Sequence, residues 1–486
     1  MILAAEVCQR AMRARDARFD GIFFVGVTTT RVYCRPVCPS RRATPKHRRF
    51  FDSAAAAEHA GFRPCLRCRP ELAPGRALVD AVPRLASVAA YRIAAGALNG
   101  RGVAQLARDL GVSERHLRRA LQHEIGVSPL ELAQTHRLLL AKRLLADTDL
   151  SITRVAFASG FQSLRRFNAV FRSHYRLRPS ALRPRSPRPR TPHPDDDALP
   201  MILAYRPPFA WHTLTAMLGR DAWPGIDLVL GGGYARTVRI AGASGVIVVD
   251  DVADPREHLR VSVSPSLLSV LMPLAARLRR VLDLDAEPGV IDAHLAEAGL
   301  GRWVERRPGL RVPGTWDGFE ATLRVLLPGK RLRYRVVQAY GEPIATALPG
   351  LTCLAPTAAR VAAGGAPALQ ELGVPRQRAT VIVAVARALE DGELVLDPGV
   401  DVETARGGLQ ALGVSEPHAT RIIARALYWP DAFAEADRSL RRALGVTSLA
   451  DLRARAERWR PWRAYAALHL ALATALASQA VYARNR

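Results

Sequence analysis

At 486 residues the chain is too long for a single hydrophobic core, so several domains are expected. Its formal net charge of +26 is uneven: residues 1–190 hold 35 Lys+Arg against 13 Asp+Glu, or +22, which leaves +4 for the rest. That excess makes the first part the nucleic-acid candidate, within a composition typical of a soluble globular protein. Arginine far outnumbers lysine, which favours bidentate contacts to phosphate and guanine. Glu6 and Arg10 interrupt the apolar start, so no signal peptide is read and the cytosol is the default compartment. Residues 464–482 are weakly polar but rich in alanine, with His469, Ser478 and Gln479 among them; a buried helix is expected there, not a membrane span.

Residues 33–69 hold four of the six cysteines in two close pairs. Three residues separate Cys34 from Cys38, two separate Cys65 from Cys68, and 26 lie between the pairs. Each pair can chelate from one turn, and four thiolates suit tetrahedral zinc, one ion per chain. Cys8 and Cys353 stand outside any metal spacing and read as small apolar residues.

The flanking residues carry more. Phe19-Asp-Gly-Ile-Phe-Phe-Val-Gly-Val-Thr-Thr-Thr-Arg-Val-Tyr-Cys34-Arg-Pro-Val-Cys38-Pro-Ser-Arg41 and Ala60-Gly-Phe-Arg63-Pro-Cys65-Leu-Arg-Cys68-Arg-Pro resemble the Ada-type DNA methyl phosphotriester repair domain over residues 1–76. The resemblance implies that Cys34 is both a zinc ligand and the methyl acceptor, that Cys38, Cys65 and Cys68 complete the ligand set, and that Thr30, Arg41 and Arg63 contact DNA. A zinc-bound sulfur stays thiolate at neutral pH, and the thiolate is the nucleophile.

From about Leu85 to Leu98 apolar residues recur at helical intervals, and two helix-turn-helix units follow. In the first, residues 103–121, Gly111 permits the turn, Ser113 caps the second helix, Leu117 and Leu121 face inward, and Arg115, Arg118, Arg119 and Gln122 face outward. Ser128 and Pro129 open a long helix, whose Leu138, Leu139, Leu144 and Leu145 can pack between the units. In the second unit, residues 152–172, Gly160 makes the turn, Ser163 caps, and Arg165, Arg166 and Asn168 face outward. Residues 85–183 resemble the AraC-type transcription activator domain, which implies two recognition helices in successive major grooves, promoter DNA and RNA polymerase as partners, and a DNA-facing set of Arg115, Arg118, Arg119, Ser163, Arg165, Arg166 and Asn168. Those arginines suit two roles equally, reading guanine edges or holding phosphates.

Six prolines in residues 184–200 make an extended spacer. Beyond it, residues 237–240, 245–249 and 258–263 read as strands of a small antiparallel sheet, with helices from about Pro265. Tyr205-Arg-Pro-Pro-Phe-Ala-Trp211, Gly233-Tyr-Ala-Arg236-Thr and Arg307-Pro-Gly-Leu-Arg-Val-Pro313-Gly resemble the N-terminal domain of AlkA-type 3-methyladenine DNA glycosylases. Asp317-Gly-Phe-Glu320, Ala339-Tyr-Gly-Glu342, Glu371-Leu-Gly-Val-Pro375, Asp431-Ala-Phe-Ala-Glu-Ala-Asp437 and Trp459-Arg-Pro-Trp-Arg-Ala-Tyr465 resemble that family's helix-hairpin-helix core, and imply Asp437 as its catalytic aspartate. The carboxylate would support the positive sugar formed as a flipped base departs.

Departures from that family fall on function. Val414 and Glu416 replace the glycines of the hairpin turn, and His418 and Ala471 stand where aromatic pocket residues are usual. The segment leading to the wedge residue is reduced to Leu326-Leu-Pro-Gly-Lys-Arg331. Two readings of this half stay open, an excising glycosylase and a retained scaffold that binds DNA weakly or packs against the regulator. No Pro-Cys-His-Arg motif is present, so direct O6-methylguanine repair is not expected. The expected fold class is multidomain and mainly α. It comprises a zinc-bound α+β domain (1–76), a double helix-turn-helix domain (77–183), a linker (184–200), an α+β domain with an antiparallel sheet (201–316) and a helical helix-hairpin-helix glycosylase-like domain (317–486). The rival is a zinc-containing transcription factor in which the four cysteines are purely structural.

Overall fold

The structure is a computed structural model, and it describes residues 3–40, 43–74, 84–183, 198–251, 258–327, 329–435 and 438–484. Arg41, Asp437 and most of the proline-rich linker lie outside the described residues. The chain forms two compact units, one of Met1–Arg206 with Arg239–Arg279, the other of Pro207–Val238 with Arg280–Arg486.

In the first unit, helix α1 (Ala5–Ala14) precedes strands β1 (Phe24–Val27), β2 (Val32–Cys34) and β3 (Arg48–Phe51), the short helix α2 (Ala54–His59) and strand β4 (Arg63–Pro64). The strands form one sheet in the order β3-β1-β2-β4; β1 runs antiparallel to β2 and β3, and β4 runs parallel to β2. Alternation along β1 divides its side chains between two small cores. Val25 packs with Cys8, Ala11, Met12 and Phe23, whereas Phe24 packs with Tyr33, Phe51, Ala57 and Phe62. Cys8 is thus a core residue, as its isolation in the sequence suggests.

Helix α3 (Arg84–Ala94) leads into the paired units: α4 (Val103–Asp109) with α5 (Glu114–Glu124), and α7 (Ile152–Ala158) with α8 (Leu164–Tyr175), joined by the long α6 (Pro129–Asp147). Ser113, Ser128, Ser151 and Ser163 each accept the backbone N–H three residues on, so every helix after α4 in this set starts at a serine cap. At Ser128 the capping box is complete, because the Glu131 carboxylate accepts the Ser128 N–H at 2.8 Å. Leu117 and Leu121 are fully buried, as expected; Leu138, Leu144 and Leu145 are buried along α6 and Leu139 partly so.

Five strands follow, interrupted by helix α9 (Trp211–Asp221): β5 (Leu199–Ala204), β6 (Asp227–Leu230), β7 (Gly233–Ile240), β8 (Ala243–Asp251) and β9 (His258–Val263). The three expected strands are present; β5 and β6 add to them. In the first unit β9 pairs antiparallel with both β5 and β8. In the second, β6 and β7 form an antiparallel hairpin. A 3-10 turn at Pro265–Val270 opens the helical part.

From there the chain runs through α10 (Leu271–Val281), α11 (Pro288–Leu295), α12 (Gly301–Val304), α13 (Gly318–Leu326) and α14 (Lys330–Tyr340). A two-stranded ribbon, β10 (Glu342–Pro343) with β11 (Cys353–Leu354), precedes α15 (Ala358–Glu371) and α16 (Arg376–Glu390). The last helices are α17 (Val402–Ala411), α18 (Glu416–Ala426), α19 (Arg438–Leu444), α20 (Leu449–Glu457) and α21 (Arg463–Arg484). The weakly polar tract of residues 464–482 therefore lies in α21, and no described helix is long and apolar enough to cross a membrane.

A buried charge network organises this second unit. Glu320, capped in place by Asp317, accepts from Arg236 at 2.8 Å and from Arg324 at 2.8 Å, and Arg324 also reaches Asp227 at 2.9 Å. Burial alone would raise the Glu320 carboxyl; the two guanidiniums outweigh it and hold it down at about 2.

Candidate metal centre and nucleic-acid interface

The four cysteines of the two pairs converge. Cys34 ends β2, Cys65 follows β4 on the neighbouring strand, and the Sγ atoms of Cys34, Cys38, Cys65 and Cys68 all lie within 4.8 Å of one another. All four are free thiols. Tetrahedral Zn–S bonds of about 2.3 Å would bring the sulfurs to about 3.8 Å apart, so the set needs little further contraction. Four thiolates this close repel strongly unless a cation sits among them, and soft donors select zinc; the centre is a single zinc site.

The sulfurs are not equivalent. Cys65 and Cys68 are buried and accept backbone N–H groups from Arg67 and Arg35, each at 3.4 Å, whereas Cys34 and Cys38 are only partly covered. The loop that carries Cys38 is pinned by arginines. Arg35 forks onto Asp20 and also donates to the Cys68 carbonyl at 3.3 Å, while Arg15 donates to the Pro39 carbonyl at 3.2 Å.

Thr30 is exposed in the β1–β2 turn, and Arg63 is exposed opposite Val32 at the sheet edge, two residues before Cys65. In the helix-turn-helix pairs Arg115, Arg118, Arg119 and Gln122 on α5, and Arg165 and Arg166 on α8, are exposed, whereas Asn168 is half-buried. Arg118 is tied to Glu114 one turn earlier. Ser163 spends its hydroxyl as the α8 cap, accepting the Arg166 N–H at 3.3 Å.

Among the C-terminal landmarks of the second unit, Asp431, Trp459, Arg463 and Tyr465 hold the fold together. Arg463 forks onto Asp431 at 2.7 and 2.9 Å, Trp459 is fully buried, and Tyr465 donates to Asp283 at 2.7 Å. Burial pushes the Asp283 carboxyl up to about 6. At the hairpin turn between α17 and α18, Val414 is buried, so its branched side chain belongs to the core, whereas Glu416 is exposed. Its carboxylate accepts from Thr420 Oγ1 at 2.9 Å, and His418 bonds Ser415 at 2.8 Å. Burial, then the charges of Arg421 and Arg378, lower the His418 value.

Two features escaped sequence reasoning. The α15–α16 and α17–α18 pairs repeat: Leu369, Val374, Ala379, Ile382 and Ala386 recur as Leu409, Val414, Ala419, Ile422 and Ala426, all buried, and Gly373 and Gly413 share φ of +87°. The doubled Leu-Gly-Val at 372–374 and 412–414 was the available signal. The other is a pair of buried charged residues, Glu58 after four alanines and Lys142 within the leucine-rich helix α6.

A four-thiolate metal site, two helix-turn-helix units and a body of paired helical hairpins together define a multidomain DNA-binding repair and regulatory protein. Three family descriptions match the chain: metal binding domain of Ada at residues 7–71, helix-turn-helix domain at 106–185 and AlkA N-terminal domain at 200–317. The chain is 38% identical over 479 residues to the "Probable bifunctional transcriptional activator/DNA repair enzyme AlkA" of Mycobacterium tuberculosis, covering 96% of this chain and 95% of that one. It therefore belongs to the family of that bifunctional activator and repair protein. Two further relatives each match a part of it. The Escherichia coli "DNA-3-methyladenine glycosylase 2" is 32% identical over 55% of this chain and 95% of its own length. The Salmonella typhimurium "Regulatory protein ada" is 35% identical over 33% of this chain and 44% of its own length.

Proposed function

We propose that this protein repairs alkylated DNA and reports the damage. Cys34 takes the methyl group of a DNA methyl phosphotriester. Its sulfur lone pair forms the S–C bond, the C–O bond breaks, and the electron pair stays on the phosphate oxygen, restoring the diester anion. No co-reactant is needed, and the acceptor is consumed. Zinc held by Cys34, Cys38, Cys65 and Cys68 would keep the sulfurs as thiolates at neutral pH. The observation that carries this reading is a four-sulfur set in which Cys34 is one of the two partly covered members, on a small sheet whose β1–β2 turn exposes Thr30 and whose edge strand β4 exposes Arg63.

Transfer removes one negative charge from the cysteine cluster, so its repulsion of the DNA backbone falls and binding tightens. The methylated protein then activates transcription through α5 and α8, with Arg115, Arg118, Arg119, Arg165, Arg166 and Asn168 on promoter DNA and RNA polymerase as the recruited partner. The second half excises alkylated bases of the 3-methyladenine type, with Asp437 as the supporting carboxylate. Its likeness along nearly all of a 3-methyladenine glycosylase favours this over a silent scaffold.

The test is mass spectrometry after mixing the zinc-loaded protein with methylated duplex. Cys34 is expected to gain the mass of one CH2 unit and a Cys34→Ser variant to gain none. An unmodified native protein would leave the cysteines with a structural role alone.

A further inference from the structure

The cysteine site and the second helix-turn-helix meet at one buried carboxylate. Glu58, on α2, has a side chain 1% exposed. Its Oε1 accepts from Tyr33 Oη at 2.9 Å, and its Oε2 accepts from Thr135 Oγ1 on α6 at 2.9 Å and bonds His174 Nε2 on α8 at 2.7 Å. Tyr33 is fully buried, immediately precedes Cys34, and through its carbonyl accepts the Cys65 N–H at 2.9 Å. A path of hydrogen bonds thus runs from both ligand-bearing strands to the end of α8, the helix that exposes Arg165 and Arg166.

A second tie lies alongside. Lys142 of α6, 3% exposed, donates to the Cys65 carbonyl at 3.2 Å and to Glu71 at 2.5 Å. Glu71 also accepts from Arg69 at 2.9 Å, and Arg69 forks onto Asp147 at the end of α6 at 2.8 and 2.6 Å. Burying unpaired charge costs several kcal/mol, roughly, so these groups are tolerated only in the one arrangement that pairs them all. An apolar seam could slide by fractions of a side chain; directional, charge-assisted bonds cannot. Burial alone would lower His174, but the hydrogen bond and charge of Glu58 hold it above the ordinary histidine value, consistent with an ion pair.

We infer that Glu58 is a positioning residue through which the state of the four-cysteine site sets the placement of α8, so that loading and methylation at the cysteines reach DNA as a change in binding by the second helix-turn-helix. Only the methylation arm rests on the proposed function; the loading arm stands without it.

The experiment uses the full chain and a duplex selected from random sequence, footprinted so that protection by each helix-turn-helix is read separately. Native protein is compared zinc-loaded, stripped with a chelator, and after reaction with methylated DNA, beside Glu58→Gln and Thr135→Val. In the native chain zinc removal should weaken protection over the second half-site by about tenfold, a typical coupling factor. In Glu58→Gln that half-site should already be weak and respond little to zinc, while methyl uptake at Cys34 persists, because Glu58 does not touch the sulfurs. Thr135→Val, which removes one donor at similar volume, should act in the same direction by less, and decides the matter if Glu58→Gln does not fold. Full zinc sensitivity of the second half-site in the folded variants overturns the inference. A native chain that never gains a methyl, yet responds to zinc as described, overturns the proposed function and the methylation arm with it, and leaves the loading arm standing.

Discussion

Glu320 shows how one side chain reports the state of its surroundings. Its carboxyl is held at about 2 in the fold, against an ordinary 4.5, because Arg236 and Arg324 overcome the effect of burial. A depressed carboxyl stabilises fully above its unfolded value and loses that contribution as pH falls through the folded one. Acid should therefore weaken the second unit between about pH 4.5 and 2, beyond the loss common to all carboxylates. Glu320→Gln should lose on the order of 3–5 kcal/mol at neutral pH, because it takes the carboxylate from buried Arg236 and one of the carboxylates from buried Arg324, and should flatten the acid limb of a thermal-unfolding profile. An unchanged acid limb would mean that the ion pairs contribute nothing net. The sequence marked Glu320 only as a landmark; nothing local in Asp317-Gly-Phe-Glu320 says that its partners are Arg236 and Arg324, because Arg236 arrives from a strand 84 residues earlier.

The two helix-turn-helix units have the same plan but different tolerances. Gly111 adopts φ of +67° in open space, whereas Gly160, at φ of +88°, would place a Cβ 2.4 Å from the Asn99 amide. Asn99 is itself fixed by Arg137, which donates to it at 2.8 Å. Gly111→Ala should cost only left-handed strain, about 1–2 kcal/mol. Gly160→Ala should cost clearly more, since the backbone strain is joined by a collision that cannot relax cheaply. Thermal unfolding of the two variants side by side checks this ranking, and equal losses would show that Asn99 yields. At this scale the sequence was readable, because caps, turns and apolar periods are local: Ser113, Gly111, Ser128 with Pro129, Gly160 and Ser163 all do in the fold what their spacing suggests. Strands β5 and β6 were harder. Pro200 lies in β5 against Ser262, where its missing N–H is tolerated on a strand paired to β9, and four residues of β6 show no clear alternation.

For the molecule as a whole, the question is whether both halves act on damage. The cysteine site was legible because metal spacing survives in one short stretch of sequence, whereas the second half depends on residues far apart in the chain. If it is a glycosylase, incubation with duplex bearing 3-methyladenine should yield abasic sites, and Asp437→Asn should cut the rate by two or more orders of magnitude, about 3 kcal/mol or more of transition-state stabilisation. A rate that ignores that substitution removes Asp437 from the mechanism. The buried charges at the edge of the cysteine domain bear on how such proteins are assembled. Glu58 and Glu71 face Thr135, His174 and Lys142, so the segment that bears the four cysteines is matched to the helices it packs against. Transplanted onto another regulator, it would meet strangers at those positions, and only a host that already offers a hydroxyl, an imidazole and an ammonium there could adopt it.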